Sequence, residues 1–176
     1  IEDTDYFKNI TNLIKDPKLN EFLKKNNIKF NIYIHQLMQN YLKNFDNIKL
    51  SENVKILPVE AEITQELEKS EILITDYSSV AYDFYYLNKP IIFFQFDKDE
   101  YDKKVGSYVK TKDLFGIQAK TLEKCVENII KISENNFNYE KNLKEKFEKL
   151  QPKFLKYTDK KNCDRIYAEI LKHLKK

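Results

Sequence analysis

The sequence predicts an α/β domain with a Rossmann-like parallel sheet flanked by helices, and three observations carry that expectation. Residues 72–74 and 91–94 are unbroken apolar runs, ILI and IIFF, of the length and composition of strands covered on both faces. Stretches with helical spacing separate these runs from one another and from two shorter candidate strands. Glycine is nearly absent, with only Gly106 and Gly116, so compact helix and strand structure is expected in place of loops. Strand and helix alternating at this spacing is the pattern of parallel strands joined by right-handed crossovers.

The elements follow in order. Residues 4–15 and 17–26 read as helices, with Asp16 as N-cap of the second and Pro17 at its first position. Residues 30–34 read as a strand and 36–45 as a helix. A short apolar run at 54–57 stops at Pro58, and 60–69 has helical spacing through Ala61, Ile63 and Leu67. The run 72–74 leads into a helix over 77–87, whose Val80, Phe84 and Leu87 should pack on the sheet. Pro90 opens the strand at 91–94; 97–104 reads as a charged loop and 106–116 as a second loop. Three helices close the chain: 122–132; 139–150, with Leu143, Phe147 and Leu150 on one face; and 164–174, which groups Ile166, Ile170, Leu171 and Leu174. The four prolines, Pro17, Pro58, Pro90 and Pro152, are expected at element boundaries.

A chain of 176 residues fits one domain or one half of a two-domain enzyme. Its 41% apolar content supplies a core despite 34% charged residues. The net charge is only +3 with Lys interleaved among Glu and Asp, which argues against a nucleic-acid-binding surface. Cys125 and Cys163 stand far apart without a CxxC motif, so neither a disulfide framework nor a zinc site is indicated and a reducing cytoplasm is the expected compartment. No run of about 18 apolar residues suggests a membrane span. The first residue is Ile1, not Met, as in an excised fragment, so any acceptor-binding or membrane-attaching part is expected upstream.

The chemistry concentrates in ILITDYSSVAYDF, residues 72–84, where a buried strand ends in Thr75, Asp76, Tyr77, Ser78 and Ser79 and turns directly into a helix. Ligands of open parallel sheets bind beyond the carboxyl ends of strands. First-turn amides of a following helix suit a diphosphate, and the hydroxyls of Ser78 and Ser79 would add donors. From spacing alone plain helix capping is favoured, since Thr, Asp and Ser are the usual residues at helix starts.

The run SEILITDYSSVAYDFYYLNKPIIFFQFDKDEYD resembles the signature of the CDP-glycerol glycerophosphotransferase family, enzymes that build teichoic-acid and related polyol-phosphate chains. FNIYIHQLMQ upstream and GSYVKTKDLFG downstream extend the similarity to about residues 5–172. The resemblance implies the carboxyl-terminal half of a glycosyltransferase-B fold: residues 1–176 as a single donor-nucleotide-binding domain, with the acceptor domain outside this chain. It implies transfer of glycerol phosphate, or a related polyol phosphate, from a CDP-linked donor to a polyol-phosphate or glycan acceptor in cell-envelope or capsule assembly. His35 matches a family histidine near the donor phosphates and is the candidate catalytic residue; Thr75, Asp76, Ser78, Ser79 and Asp83 are the candidate donor-binding residues. An imidazole following a strand can reach the sheet rim and stabilise developing phosphate charge. No cofactor is implied, and membrane contact, at the inner face, would come only through missing parts.

Competing readings stay in view. A donor domain for another nucleotide sugar, or a nucleotide-binding module without catalysis, would share the fold. Asp97-Lys98-Asp99 is an Asp-x-Asp pattern, but a short one, and metal binding is disfavoured. Tyr77, Tyr82, Tyr85 and Tyr86 could stack a cytosine, though core packing is favoured. His173 is expected to be solvated, and Lys160 stands where the family usually has Gly.

Overall fold

The computed structural model describes residues 4–34, 45 and 48–174. The helix expected over 36–45 lies outside them apart from Phe45, as does His35. The strands are β1 (Phe30–Ile32), β2 (Val54–Ile56), β3 (Leu73–Thr75), β4 (Ile91–Phe94) and β5 (Ile117–Ala119). The helices are α1 (Asp5–Lys15), α2 (Pro17–Lys25), α3 (Ile63–Lys69), α4 (Val80–Tyr86), α5 (Lys98–Lys104), α6 (Leu122–Glu134), α7 (Lys141–Phe154) and α8 (Asn162–Leu174). Among the described residues no helix is long and apolar enough to cross a membrane.

Every strand pair is parallel, in agreement with the expected architecture. The strands hydrogen-bond in two groups where one sheet was expected: β1 with β2, and β3, β4 and β5 in that order. One core nonetheless joins them, because Ile32 and Val54 of the first group and Ile92, Phe94 and Ala119 of the second pack in the same cluster with α1, α2 and α6.

All four residues of β4 are buried. Ile92 and Phe94 enter that cluster, while Ile91 and Phe93 point to the opposite face, against Ala81, Phe84 and Tyr85 of α4, Phe115 and Phe147 of α7. Each such side chain contributes about 1.5–3 kcal/mol on burial. β3 is only half-buried, against the expectation of cover on both faces, because it pairs with β4 on one side alone among the described residues.

Caps explain where the first helices begin. Thr4 Oγ1 accepts from the Phe7 amide at 3.2 Å, and Asp16 Oδ1 accepts from the Leu19 amide at 2.8 Å with Pro17 at the first helical position. The stretch 97–104, expected as a loop, contains α5. Its acids Asp99 and Glu100 fill the first turn and Lys103 and Lys104 the last, matching the helix dipole, and Lys98–Asp102 and Glu100–Lys104 pair at i,i+4 spacing. β5 was missed because three residues between Gly116 and Lys120 carry too short a pattern.

On α4 the buried face is Ala81, Phe84 and Tyr85; Leu87, expected on the sheet, caps the helix and is 37% exposed. Pro152 lies inside the last turn of α7 and not at a boundary, and the helix closes beyond it through the Leu155 amide on the Gln151 carbonyl at 2.8 Å. α8 buries none of its residues: Ile166, Ile170 and Leu174 are exposed.

Gly116 lies against β4, where an added Cβ would stand 2.7 Å from the Ile91 carbonyl oxygen and 2.8 Å from Phe93 Cε2. Gly116→Ala is therefore expected to destabilise the fold by about 1–3 kcal/mol in a urea titration. Cys125 is buried in α6, which pushes its thiol up to about 12, whereas Cys163 is exposed on α8. A thiol-specific reagent near neutral pH is expected to label Cys163 rapidly and Cys125 only after denaturation, as read by mass spectrometry.

Candidate functional site

β3 delivers the chain at Thr75, whose partner in β4 is Phe93, into a four-residue loop before α4. Asp76 folds back on this loop: its Oδ1 accepts from the amides of Tyr77 at 2.6 Å and Ser78 at 3.2 Å. The Ser78 amide, expected as an open donor, is thus already engaged by a carboxylate. Asp76 acts on its own backbone, where a negative charge would oppose an anion placed on the same two amides. The amides of Ser79 and Val80 and the hydroxyls of Ser78 and Ser79 make no hydrogen bond among the described residues. Ser79 occupies the N-cap position of α4 without a side-chain cap bond, so plain capping does not account for either serine. Asp83 is exposed in the first turn of α4, on the solvent side of the same junction. His35 lies outside the described residues.

The loop is held by residues that sequence reasoning passed over. Gln95 follows β4 directly and is only 3% exposed; its Nε2 donates to the Asp76 carbonyl at 3.0 Å, and its Oε1 accepts from Gln118 Nε2 at 2.8 Å. A buried amide with both ends satisfied fixes the distance between the ends of β3, β4 and β5. The available signal was a polar side chain ending an otherwise apolar run. Tyr77 reaches to α5: its hydroxyl donates to Asp97 Oδ1 at 2.8 Å and its ring stacks on Tyr101, centroids 3.5 Å apart and planes 5° from parallel. Burial first, then the bond to Asp97, raises the Tyr77 phenol above its ordinary pKa, so it stays a neutral donor.

The other tyrosines of the expected aromatic stripe serve packing. Tyr82 and Tyr85 pack on Phe115, Tyr85 donates to the Phe147 carbonyl, and the Tyr86 hydroxyl accepts from the Lys160 amide at 3.2 Å. The two carboxylates of the Asp-x-Asp pattern serve different partners: Asp97 holds Tyr77, and Asp99 faces Lys120 at 3.8 Å.

An open cleft of about 540 Å³ lies beyond the carboxyl ends of β4 and β5, with Gln95, Asp97, Lys120 and Thr121 in its walls. Two of these residues, Gln95 and Asp97, also hold the serine loop, so the loop and the cleft share two side chains at the carboxyl ends of the parallel strands, the edge where open parallel sheets bind ligands.

The family described as CDP-Glycerol:Poly(glycerophosphate) glycerophosphotransferase matches residues 2–172. The chain belongs to this family. Among its relatives is the minor teichoic acid biosynthesis protein GgaB of Bacillus subtilis (strain 168), 35% identical over 170 residues, which are 97% of this chain and 18% of GgaB. The teichoic acid glycerol-phosphate primase of the same organism is 52% identical over 40 residues, 23% of this chain and 10% of the primase. The fold matches that of the wall teichoic acid polymerase TagF with a TM-score of 0.65 at 24% identity, over 93% of this chain and 38% of TagF. The chain therefore spans under a fifth of GgaB and about two fifths of the TagF chain.

One departure from the glycerophosphotransferase pattern has a structural answer. Lys160, where the resemblance leads one to expect Gly, holds a left-handed backbone with φ 60°, between the Asp159 carboxylate that grips Arg165 and the bond to Tyr86. The local geometry is the one glycine favours, and here a side chain adopts it at a cost. Lys160→Gly is expected to leave the fold unchanged and raise its stability by about 0.5–1 kcal/mol in chemical denaturation.

Proposed function

We propose that this chain forms the donor side of a transferase that moves glycerol phosphate, or a related polyol phosphate, from a CDP-linked donor to a growing cell-envelope or capsule polymer. The observation that carries this reading is the family match over residues 2–172 together with a serine-bearing loop whose hydroxyls have no partner among the described residues. In this reading the donor diphosphate meets the hydroxyls of Ser78 and Ser79 and the amides of Ser79 and Val80. Thr75 and Asp76 shape the loop, and Asp83 lies at its solvent edge.

An acceptor hydroxyl gives its proton to a base of the acceptor domain as its oxygen attacks the β-phosphorus, the bond from that phosphorus to the oxygen bridging the two phosphates breaks, and CMP leaves with the electron pair. His35, three residues after β1 in the sequence, is given the developing phosphate charge in this reading, as a hydrogen-bond donor. The donor already carries the activated phosphoryl group, so the reading calls for no cofactor. The acceptor domain of a glycosyltransferase-B arrangement would lie in another part of the protein, working at the inner face of the membrane. The polyol is left open between glycerol and ribitol, because the relatives include a poly(ribitol-phosphate) polymerase and a poly(glycerol phosphate) polymerase.

Calorimetry on this chain with CDP-glycerol is the test. Binding is expected, and Ser78→Ala and His35→Ala should each weaken it by about tenfold or more, the value of one charge-assisted hydrogen bond. Donor binding that both variants retain at parental affinity removes these residues from the site; a parent that binds neither CDP nor CDP-glycerol removes the donor-site reading itself.

A further inference from the structure

We propose that Tyr77, Asp97 and Tyr101 form a clasp that positions the serine loop, so that α5 sets the geometry with which Ser78 and Ser79 meet the donor. The inference rests on the donor-site reading and adds three positioning residues to it, none of which is asked to touch the donor.

The loop has few internal constraints. Beyond the carboxylate of Asp76, the Ala81 amide bonds the Ser78 carbonyl at 3.3 Å and the Tyr82 amide bonds the Ser79 carbonyl at 2.9 Å. The helix that follows is only seven residues long, too short to hold an orientation without tertiary contacts. Two side-chain ties from outside therefore define where the loop stands: Gln95 on the Asp76 carbonyl, and Tyr77 on α5.

The second tie has two points of attachment on one helical face. Asp97, at the N-cap of α5, takes the Tyr77 hydroxyl, and Tyr101, four residues on, takes the ring face. A hydrogen bond and a parallel stack together fix both the position and the tilt of the Tyr77 ring, and through one peptide unit the position of Ser78. The socket is itself anchored. The Val105 and Gly106 amides both bond the Tyr101 carbonyl, at 2.8 and 3.1 Å. Lys98, 6% exposed, pairs with Asp102 and reaches Ser107 Oγ at 3.1 Å, and Ser107 donates to Asp102 at 2.5 Å. This knot, in which Lys98 is the buried member, ties the start of α5 to its last turn and to the residue after Gly106.

Three variants test the clasp by calorimetry with CDP and by amide exchange of residues 76–79. Tyr77→Phe keeps the stack and loses the bond, Asp97→Ala loses it from the other side, and Asp97→Asn keeps an oxygen that accepts from the phenol. Tyr77→Phe and Asp97→Ala are expected to weaken CDP binding about three- to tenfold and to speed loop exchange by a similar factor. Exchange in α1 and α6 should be unchanged, and Asp97→Asn should restore both loop exchange and affinity to near parental values. Parental exchange and affinity in Tyr77→Phe overturn the clasp, as does an Asp97→Asn that behaves like Asp97→Ala. A parent that binds no CDP overturns the donor-site reading, and loop exchange then decides the clasp alone. Should Asp97→Ala fail to fold, Tyr77→Phe, which removes a single oxygen, carries the test.

Discussion

The burial of β4 on both faces is the constraint on which the rest of the structure depends. Four consecutive side chains that must all leave water can do so only if each face of the strand is covered, and the pleat sends them alternately to two sides. Ile92 and Phe94 recruit α1, α2 and α6; Ile91 and Phe93 recruit α4, Phe115 and α7. The strand also fixes its neighbours in register, with Leu73 of β3 opposite Ile91 and Ile117 of β5 opposite Ile92. Close approach matters on this strand, and Gly116 is where a neighbouring backbone presses against it. Tyr139 closes its start, accepting from the Ile91 amide and donating to the Ile91 carbonyl at 3.0 Å.

That same rigidity is passed to the rim. The apolar run of β4 ends in Gln95, a buried polar side chain that can be satisfied only by groups at the ends of the adjacent strands, and it finds the Asp76 carbonyl on one side and Gln118 on the other. The ends of β3, β4 and β5 are thereby tied into one edge. The serine loop is suspended from this edge at Asp76 and from α5 at Tyr77, and the two serine hydroxyls make no hydrogen bond among the described residues. On the donor-site reading that combination is what the diphosphate requires, donors without partners on a backbone that does not have to reorganise.

Much of this was legible in the sequence where physical signals are strong and local. The strands β3 and β4 show as the apolar runs 72–74 and 91–94, although only β4 is fully buried, and Asp16-Pro17 marks a helix start that the structure places at the same residues. The serine junction was legible as a strand handing over to a helix. What was not legible depended on contacts between distant residues. Nothing local in Tyr77 announces a partner 20 residues on, and α5 reads as a charged loop until its acids and lysines are seen to pair one turn apart. β5 consists of three residues, shorter than any periodicity can resolve. Leu87 carries the spacing of a core residue, but α4 ends before it, so the sheet-facing stripe shifts to Ala81, Phe84 and Tyr85. The apolar spacing of α8 was legible too, yet spacing does not say what covers a face, and none of its residues is buried.

Charge divides the work along the rim. The serine loop offers hydroxyls and amides, donors suited to the diphosphate that all donors of this chemical class share. The adjoining cleft offers mostly acceptors: Asp99 faces Lys120, Asp97 accepts from Tyr77, and Lys98 is already committed to Asp102. Such a surface repels phosphate and suits hydroxyl-bearing groups, which carboxylates and amides can bond without a charge penalty. On the donor-site reading, discrimination between one polyol and another therefore cannot reside in Ser78 and Ser79, whose contacts are to a moiety common to every candidate donor. It has to come from the acceptor-rich walls beside them or from parts of the protein beyond this chain. Because Asp97 both lines the cleft and holds Tyr77, a change there that removes its acceptor oxygen alters the wall and, on the clasp reading, the loop together.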